Sequence, residues 1–205
     1  MLLIASALVA ATMGEDAGRR FFGAYPSEAA RNDRSAAAEF ELTITPDGKL
    51  EKCALLRAVG DERLGAQTCE IVNRARFRFT PGSAPDGTPA YGVIHTSGKL
   101  FVPDIASGRA IRDHDFGPEL NVAVRELPKG AGDRADLKVV AFIGADGKAT
   151  TCEAAAGASA ALAEIACLGV RTREWGVVVD PAGDAVPYVR EFDVRLAIER
   201  EPSPA

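Results

Sequence analysis

The sequence predicts an α+β fold built of two tandem small β-β-α-β-β modules, each an antiparallel sheet packed on one helix. Three observations carry that expectation. Two stretches of the chain superpose with a nearly constant shift. Asp47, Gly48, Lys49 and Cys53 recur 99 positions later as Asp146, Gly147, Lys148 and Cys152. Leu64, Cys69, Phe77 and Pro89 recur 98 positions later as Leu162, Cys167, Trp175 and Pro187, and a single deletion accounts for the change of shift. Each stretch also alternates apolar and polar residues around an Asp-Gly turn, the pattern of a half-buried hairpin. Beyond each hairpin the apolar period changes from that of a strand to that of a helix.

In the first module, Phe40, Leu42 and Ile44 alternate with Glu41, Thr43 and Thr45, and Pro46-Asp47-Gly48 turns the chain into a second strand from Leu50 to Leu55. Asp61 precedes a helix whose Leu64, Thr68, Ile71, Val72 and Ala75 share one face, with Cys69 at its margin. Phe77 and Phe79 resume the alternation, Pro81 to Pro89 is rich in turn residues, and Tyr91 to Val102 is long enough for the last strand. The second module repeats the order. Val139, Ala141 and Ile143 precede the turn; Leu162, Ile165, Ala166, Cys167 and Val170 form a helical arc; Trp175, Val177 and Val179 form the next strand. Phe192, Val194, Leu196 and Ile198 then alternate with Glu191, Asp193, Arg195 and Ala197. These readings divide the chain into modules at 20–102 and 135–199, joined by a connector at 103–134 with a strand or short helix near Leu120 to Leu127.

The chain of 205 residues has 24 basic and 29 acidic residues, a net charge of -5. With no dense run of Lys or Arg, nucleic acid and anionic lipid are poor candidates for its main partner. Leu2 to Thr12 is an apolar run too short to span a bilayer, so no stable membrane span is expected. It suits the core of a signal peptide over residues 1–13, with cleavage after Ala11, although no Lys or Arg precedes it. An ordinary N-terminal strand or helix is the alternative.

Each module holds two cysteines, one ending the second strand and one on the helix. Disulfides Cys53–Cys69 and Cys152–Cys167 are the simple reading, in keeping with small exported domains. Reduced, buried cysteines remain the bland alternative. A metal site lacks ligands, since there is no Cys-x-x-Cys and His95 and His114 are the sole histidines.

Tyr25-Pro26-Ser27-Glu28-Ala29-Ala30-Arg31, Pro46-Asp47-Gly48-Lys49, Asn73-Arg74-Ala75-Arg76-Phe77-Arg78-Phe79-Thr80-Pro81 and Asp86-Gly87-Thr88-Pro89 together resemble the C-terminal domain of TonB-type energy transducers. Residues 135–199 resemble a diverged copy, in which Arg173-Glu174-Trp175-Gly176-Val177 replaces the arginine-phenylalanine pattern. The resemblance implies a periplasmic, Gram-negative envelope protein, non-enzymatic and without cofactor. It also implies capture of an extended peptide from an envelope partner along the edge of the last strand. Neither an inner-membrane helix nor a long proline-rich spacer is evident, so binding rather than energy transduction is expected.

A small sheet leaves unpaired backbone groups at its borders, which an added strand satisfies. The expected edge runs from Tyr91 to Lys99, with Tyr91, Val93, His95 and Ser97 facing outward to select side chains. The matching set in the second module, Val189, Glu191, Asp193 and Arg195, carries charges that would protect an edge. The alternative is a solvated strand or a contact between the repeats or with a second chain. No phosphate loop or Gly-x-Ser-x-Gly occurs, and Asp113-His114-Asp115 is expected to be a solvated loop.

Overall fold

The computed structural model describes residues 8–199; Leu2 to Ala7 of the expected signal core lie outside the described residues. The described chain is a mixed α+β protein. In order come β1 (Thr12–Met13), α1 (Ala17–Gly23), α2 (Ser27–Arg31), β2 (Ala36–Ile44), β3 (Leu50–Gly60), α3 (Glu62–Ala66), α4 (Thr68–Ala75), β4 (Phe79–Thr80), β5 (Gly82–Ser83) and β6 (Pro89–Leu100). Then follow α5 (Ala106–Asp113), β7 (Leu120–Val124), β8 (Arg134–Ile143), β9 (Ala149–Ala154), α6 (Ala160–Arg171), β10 (Val178–Val179), β11 (Ala185–Val186) and β12 (Tyr188–Ile198). Two compact units divide them. One is Ala11–Pro81 with Tyr91–Phe116; the other holds described residues 8–10, 82–90 and 117–199.

In the first unit β2 runs antiparallel between β3 and β6. Its alternation sets Phe40, Leu42 and Ile44 on one face, where they pack with Leu64, Ile71 and Val72. The hairpin closes through hydrogen bonds from Thr45 N to Lys49 O and from Gly48 N to Thr45 O, both 2.9 Å, with Gly48 at φ +78°. A left-handed residue at that turn position favours glycine. The second strand extends well past Leu55, to Gly60, with a register shift opposite Glu39/Phe40 that leaves Leu56 as an extra residue.

The single helix expected after Asp61 is two short ones. Asp61 caps α3, accepting a hydrogen bond from Leu64 N at 2.8 Å. A Cβ at Gly65 would lie 2.6 Å from the Ala58 side chain, so glycine allows α3 to close on β3. The break follows at Gln67, where Thr68 Oγ1 donates to Gly65 O at 2.7 Å. Arg76, at φ +50°, ends α4 in a left-handed turn. That turn shortens the expected Phe77–Phe79 strand to Phe79–Thr80, and Phe77 packs edge-on against Phe79 instead. The sheet is therefore not covered by one helix: α1 and α2 add Phe21 and Ala29 to the core beside α3 and α4.

In the second unit β8 pairs antiparallel with β9 and β12, while β7 pairs in parallel with β12 from Val194↔Leu120 to Ile198↔Val124. Helix α6 covers the face bearing Val139, Ala141, Ile143, Phe192, Val194 and Leu196, burying its Ala163, Ala166, Cys167 and Val170. The β8–β9 turn has the same bond pattern as the β2–β3 turn, Gly144 N to Lys148 O and Gly147 N to Gly144 O, with Gly147 at φ +78°. On the opposite face Leu8 and Ala10 pack with Val140 and Val189. The strand expected through Trp175, Val177 and Val179 is corrected: β10 is two residues long, Val178 points inward, and Val177 and Val179 are 53% and 51% exposed. Trp175 is held outside a strand because its backbone N donates to Gly147 O and its ring Nε1 to Val170 O. The stretch 103–134 contributes α5 to the first unit and β7 to the second.

Candidate functional site

Strand β6 places the four expected selector residues by its register with β2. Thr43↔Val93, Glu41↔His95 and Glu39↔Ser97 lie opposite one another, on the face away from Phe40, Leu42 and Ile44. The direction matches the expectation; the exposure does not. Val93 is 5% exposed, Tyr91 is half-buried and Ser97 alone is exposed. His95 is inward beside a carboxylate, its Nε2 lying 3.3 Å from Glu39 Oε1 with side-chain exposures of 11% and 10%.

Glu39 is the hub of this face, and sequence reasoning missed it. Arg57, opposite it on β3, donates from Nε and Nη2 to its carboxylate and from Nη2 to Phe116 O at 2.9 Å. The Arg57 guanidinium also sits 4.9 Å from the centre of the Phe116 ring. Its hydrogen bond to Glu39 holds it above the ordinary arginine range. A second strand ended at Leu55 hid Arg57; the signal that could have revealed the group is a glutamate in an otherwise apolar Ala36–Phe40 run. The expected loop Asp113-His114-Asp115 lies next to it: Arg112 Nε bonds Asp113 at 2.8 Å, and the His114 ring packs edge-on to Phe116.

Strand β3 is an end strand of the sheet and has a different surface. From Leu55 to Gly60 every residue is exposed, and Leu55, Leu56 and Val59 keep 39%, 49% and 41% of their surface in water. In the second unit the set expected to protect β12 is split. Val189 is fully buried, whereas Arg195 pairs with Asp136 on β8 at 2.7 and 3.0 Å, and Lys138 bridges Glu191 at 2.6 Å and Asp193 at 3.5 Å. The Arg195 hydrogen bond holds the Asp136 carboxyl below its ordinary range. Strand β7 pairs along the C-terminal half of β12, so that half is not a border.

The four cysteines meet as two disulfide pairs, Cys53–Cys69 between β3 and α4 and Cys152–Cys167 between β9 and α6, each with Cα atoms 5.6 Å apart. Among the described residues no helix is long and apolar enough to cross a membrane.

Residues 23–95 match the family model of the Gram-negative bacterial TonB protein C-terminal. The matched segment begins at the end of α1, takes in the hairpin, both short helices and β4, and ends at His95 inside β6. It supports a likeness of this segment to the TonB C-terminal family. Comparison with curated proteins and with solved structures gives no match.

Proposed function

We propose that this chain is an exported, periplasmic, non-enzymatic TonB C-terminal-like binding protein that takes up an extended peptide of an envelope partner by strand addition, a TonB-dependent outer-membrane receptor being one candidate. The family match over residues 23–95 carries the reading. Border strands supply the backbone donors and acceptors that such a peptide pairs with, and alternate side chains supply selection. The burial of Val93 and His95 favours β3 over the 91–99 edge as the place of addition, because β3 offers apolar side chains to a partner. Residues 135–199 are read as a diverged second copy of the module. The shared turn, the strand-to-helix disulfide and the order of β8, β9, α6 and β12 support that reading.

The test combines capture from an envelope fraction, peptide mapping of the partner, and titration of the mapped peptide. Leu56→Lys with Val59→Lys should abolish binding to β3 while circular dichroism stays native, since edge lysines oppose strand pairing. Val93→Pro and His95→Ala probe the 91–99 edge in the same titration. If all three folded variants bind like the parent, peptide capture by this sheet is ruled out.

The extra residue Leu56 favours a second reading, because a bulge on a border strand is a device that discourages pairing. On that reading the chain is a structural or interaction protein, its repeats pairing with each other or with a second chain. A concentration-dependent dimer that persists in Leu56→Lys, with no peptide captured at β3, would support it.

A further inference from the structure

Residues 8–10 lie as an extended segment on the second unit, and the groups that hold them belong to that unit. Val9 N donates to Ser83 O at 3.4 Å and Ser83 N to Val9 O at 2.8 Å, the reciprocal exchange of a hydrogen-bonded antiparallel pair. On its other side Ser83 lies opposite Pro89 in the pairing of β5 with β6. One residue earlier, Leu8 N donates to the Glu153 carboxylate. The side chains alternate as those of a strand do: Leu8 and Ala10 are buried and Val9 between them is exposed.

The floor beneath the segment is built by register. Val140 and Phe142 of β8 lie on the face away from α6, and the residues opposite them are Glu153 on β9 and Val189 on β12. Residues directly opposite share a face. Val140 and Val189 pack with Leu8 and Ala10, and Ala90, Phe142 and Ala155 pack around them. The unit thus presents a backbone donor and acceptor at Ser83, a carboxylate at Glu153 and an apolar floor beside them. Such a set recognises an extended peptide, backbone pairing giving affinity and alternate side chains giving selection. We propose that this face is a binding site for an extended peptide with a large apolar residue, any residue and a small residue in succession, and that residues 8–10 fill it in cis. Cleavage after Ala11, the processing that the sequence predicts, removes the occupant and opens the site to a partner's peptide. The site belongs to the second unit and does not depend on capture at β3, a strand of the first.

The test uses the full chain with Leu8→Asp and Ala10→Asp, which expel the segment because docking it would bury charge. Ala10→Lys is a second expelling variant, and circular dichroism checks the fold of each. The probe is acetyl-Leu-Val-Ala-Ala-amide, its binding read from NMR chemical shifts. It should bind the expelled variants saturably in the millimolar range, and the parent chain about tenfold more weakly or less, because a tethered segment competes at high effective concentration. Lysine in place of the probe's valine should leave binding unchanged, whereas leucine in place of its first alanine should weaken binding about tenfold or more. Glu153→Gln in an expelled variant should weaken the probe about fivefold, as expected for loss of the charge on one hydrogen bond. The proposal is overturned if the probe does not saturate either folded variant, if the parent chain binds it as tightly as they do, or if the leucine-substituted probe binds as tightly as the original. Unfolding of both variants would make residues 8–10 indispensable to the fold and overturn it as well. A parent-chain dimer that Ala10→Lys dissolves would assign the face to residues 8–10 of a second copy and overturn the assignment to a partner's peptide.

Discussion

Arg190 is paired with Glu119 in the interior of the second unit, with side-chain exposures of 6% and 9%. The guanidinium lies 5.5 Å from the Trp175 ring centre and 5.1 Å from that of Phe192, so the cation is flanked by two aromatic rings. Removing one member of such a pair strands a buried charge. Glu119→Ala should therefore lower stability by about 3 kcal/mol, whereas Glu119→Leu with Arg190→Met should cost much less. Urea unfolding of the single and double variants checks this. A single variant as stable as the parent would mean that the pair is not coupled to folding.

The disulfides make a covalent prediction. Non-reducing peptide mapping should find Cys53 with Cys69 and Cys152 with Cys167, and no other link. Replacing either pair by alanine and serine should cost about 3 kcal/mol, because each bond closes a loop of similar length. A Cys53–Cys152 link, or free thiols in protein from an oxidising compartment, would contradict the pairing.

Acid should weaken the protein through specific carboxylates. A hydrogen bond from Arg195 holds Asp136 below its ordinary value of 3.8, and one from Arg20 does the same to Asp16. Since the folded value lies below the unfolded one, their contribution is present above pH 3.8 and is lost as the pH falls through the folded value. Asp136→Asn should therefore reduce the difference in stability between pH 7 and pH 3, in denaturant titrations at the two pH values. An unchanged difference would assign the acid response to other groups.

The N-terminal segment offers a fourth test. Leu8 and Ala10 pack with Val140 and Val189, and the Leu8 backbone N donates to Glu153. A chain beginning at Thr12, as cleavage after Ala11 would produce, loses that packing and should be less stable by about 2 kcal/mol. Comparing thermal unfolding of the chains starting at Met1 and at Thr12 measures the difference, and mass spectrometry of the protein recovered from cells gives its true start. Equal stability would show that residues 8–11 are expendable, as a cleaved leader must be.

The sequence by itself determined the features that depend on neighbours in the chain. Asp47-Gly48 and Asp146-Gly147 set the turns because a left-handed glycine is required there, and the alternation from Phe40 and from Phe192 set which side chains face each core. The cysteine spacing placed one sulfur on a strand and one on a helix in each unit. Tertiary structure decided what depends on distant chain. Parity told which way Val93, His95 and Val189 point, but not what else covers that face. His95 lies inward beside Glu39, and Leu8 and Ala10 pack on Val189. Likewise Val177 and Val179 had the period of a strand, yet hydrogen bonds from Trp175 to Gly147 and Val170 fix the preceding residue and turn Val178 inward instead. Period fixes the direction of a side chain relative to its neighbours; burial is set by whichever distant residues come to rest upon it.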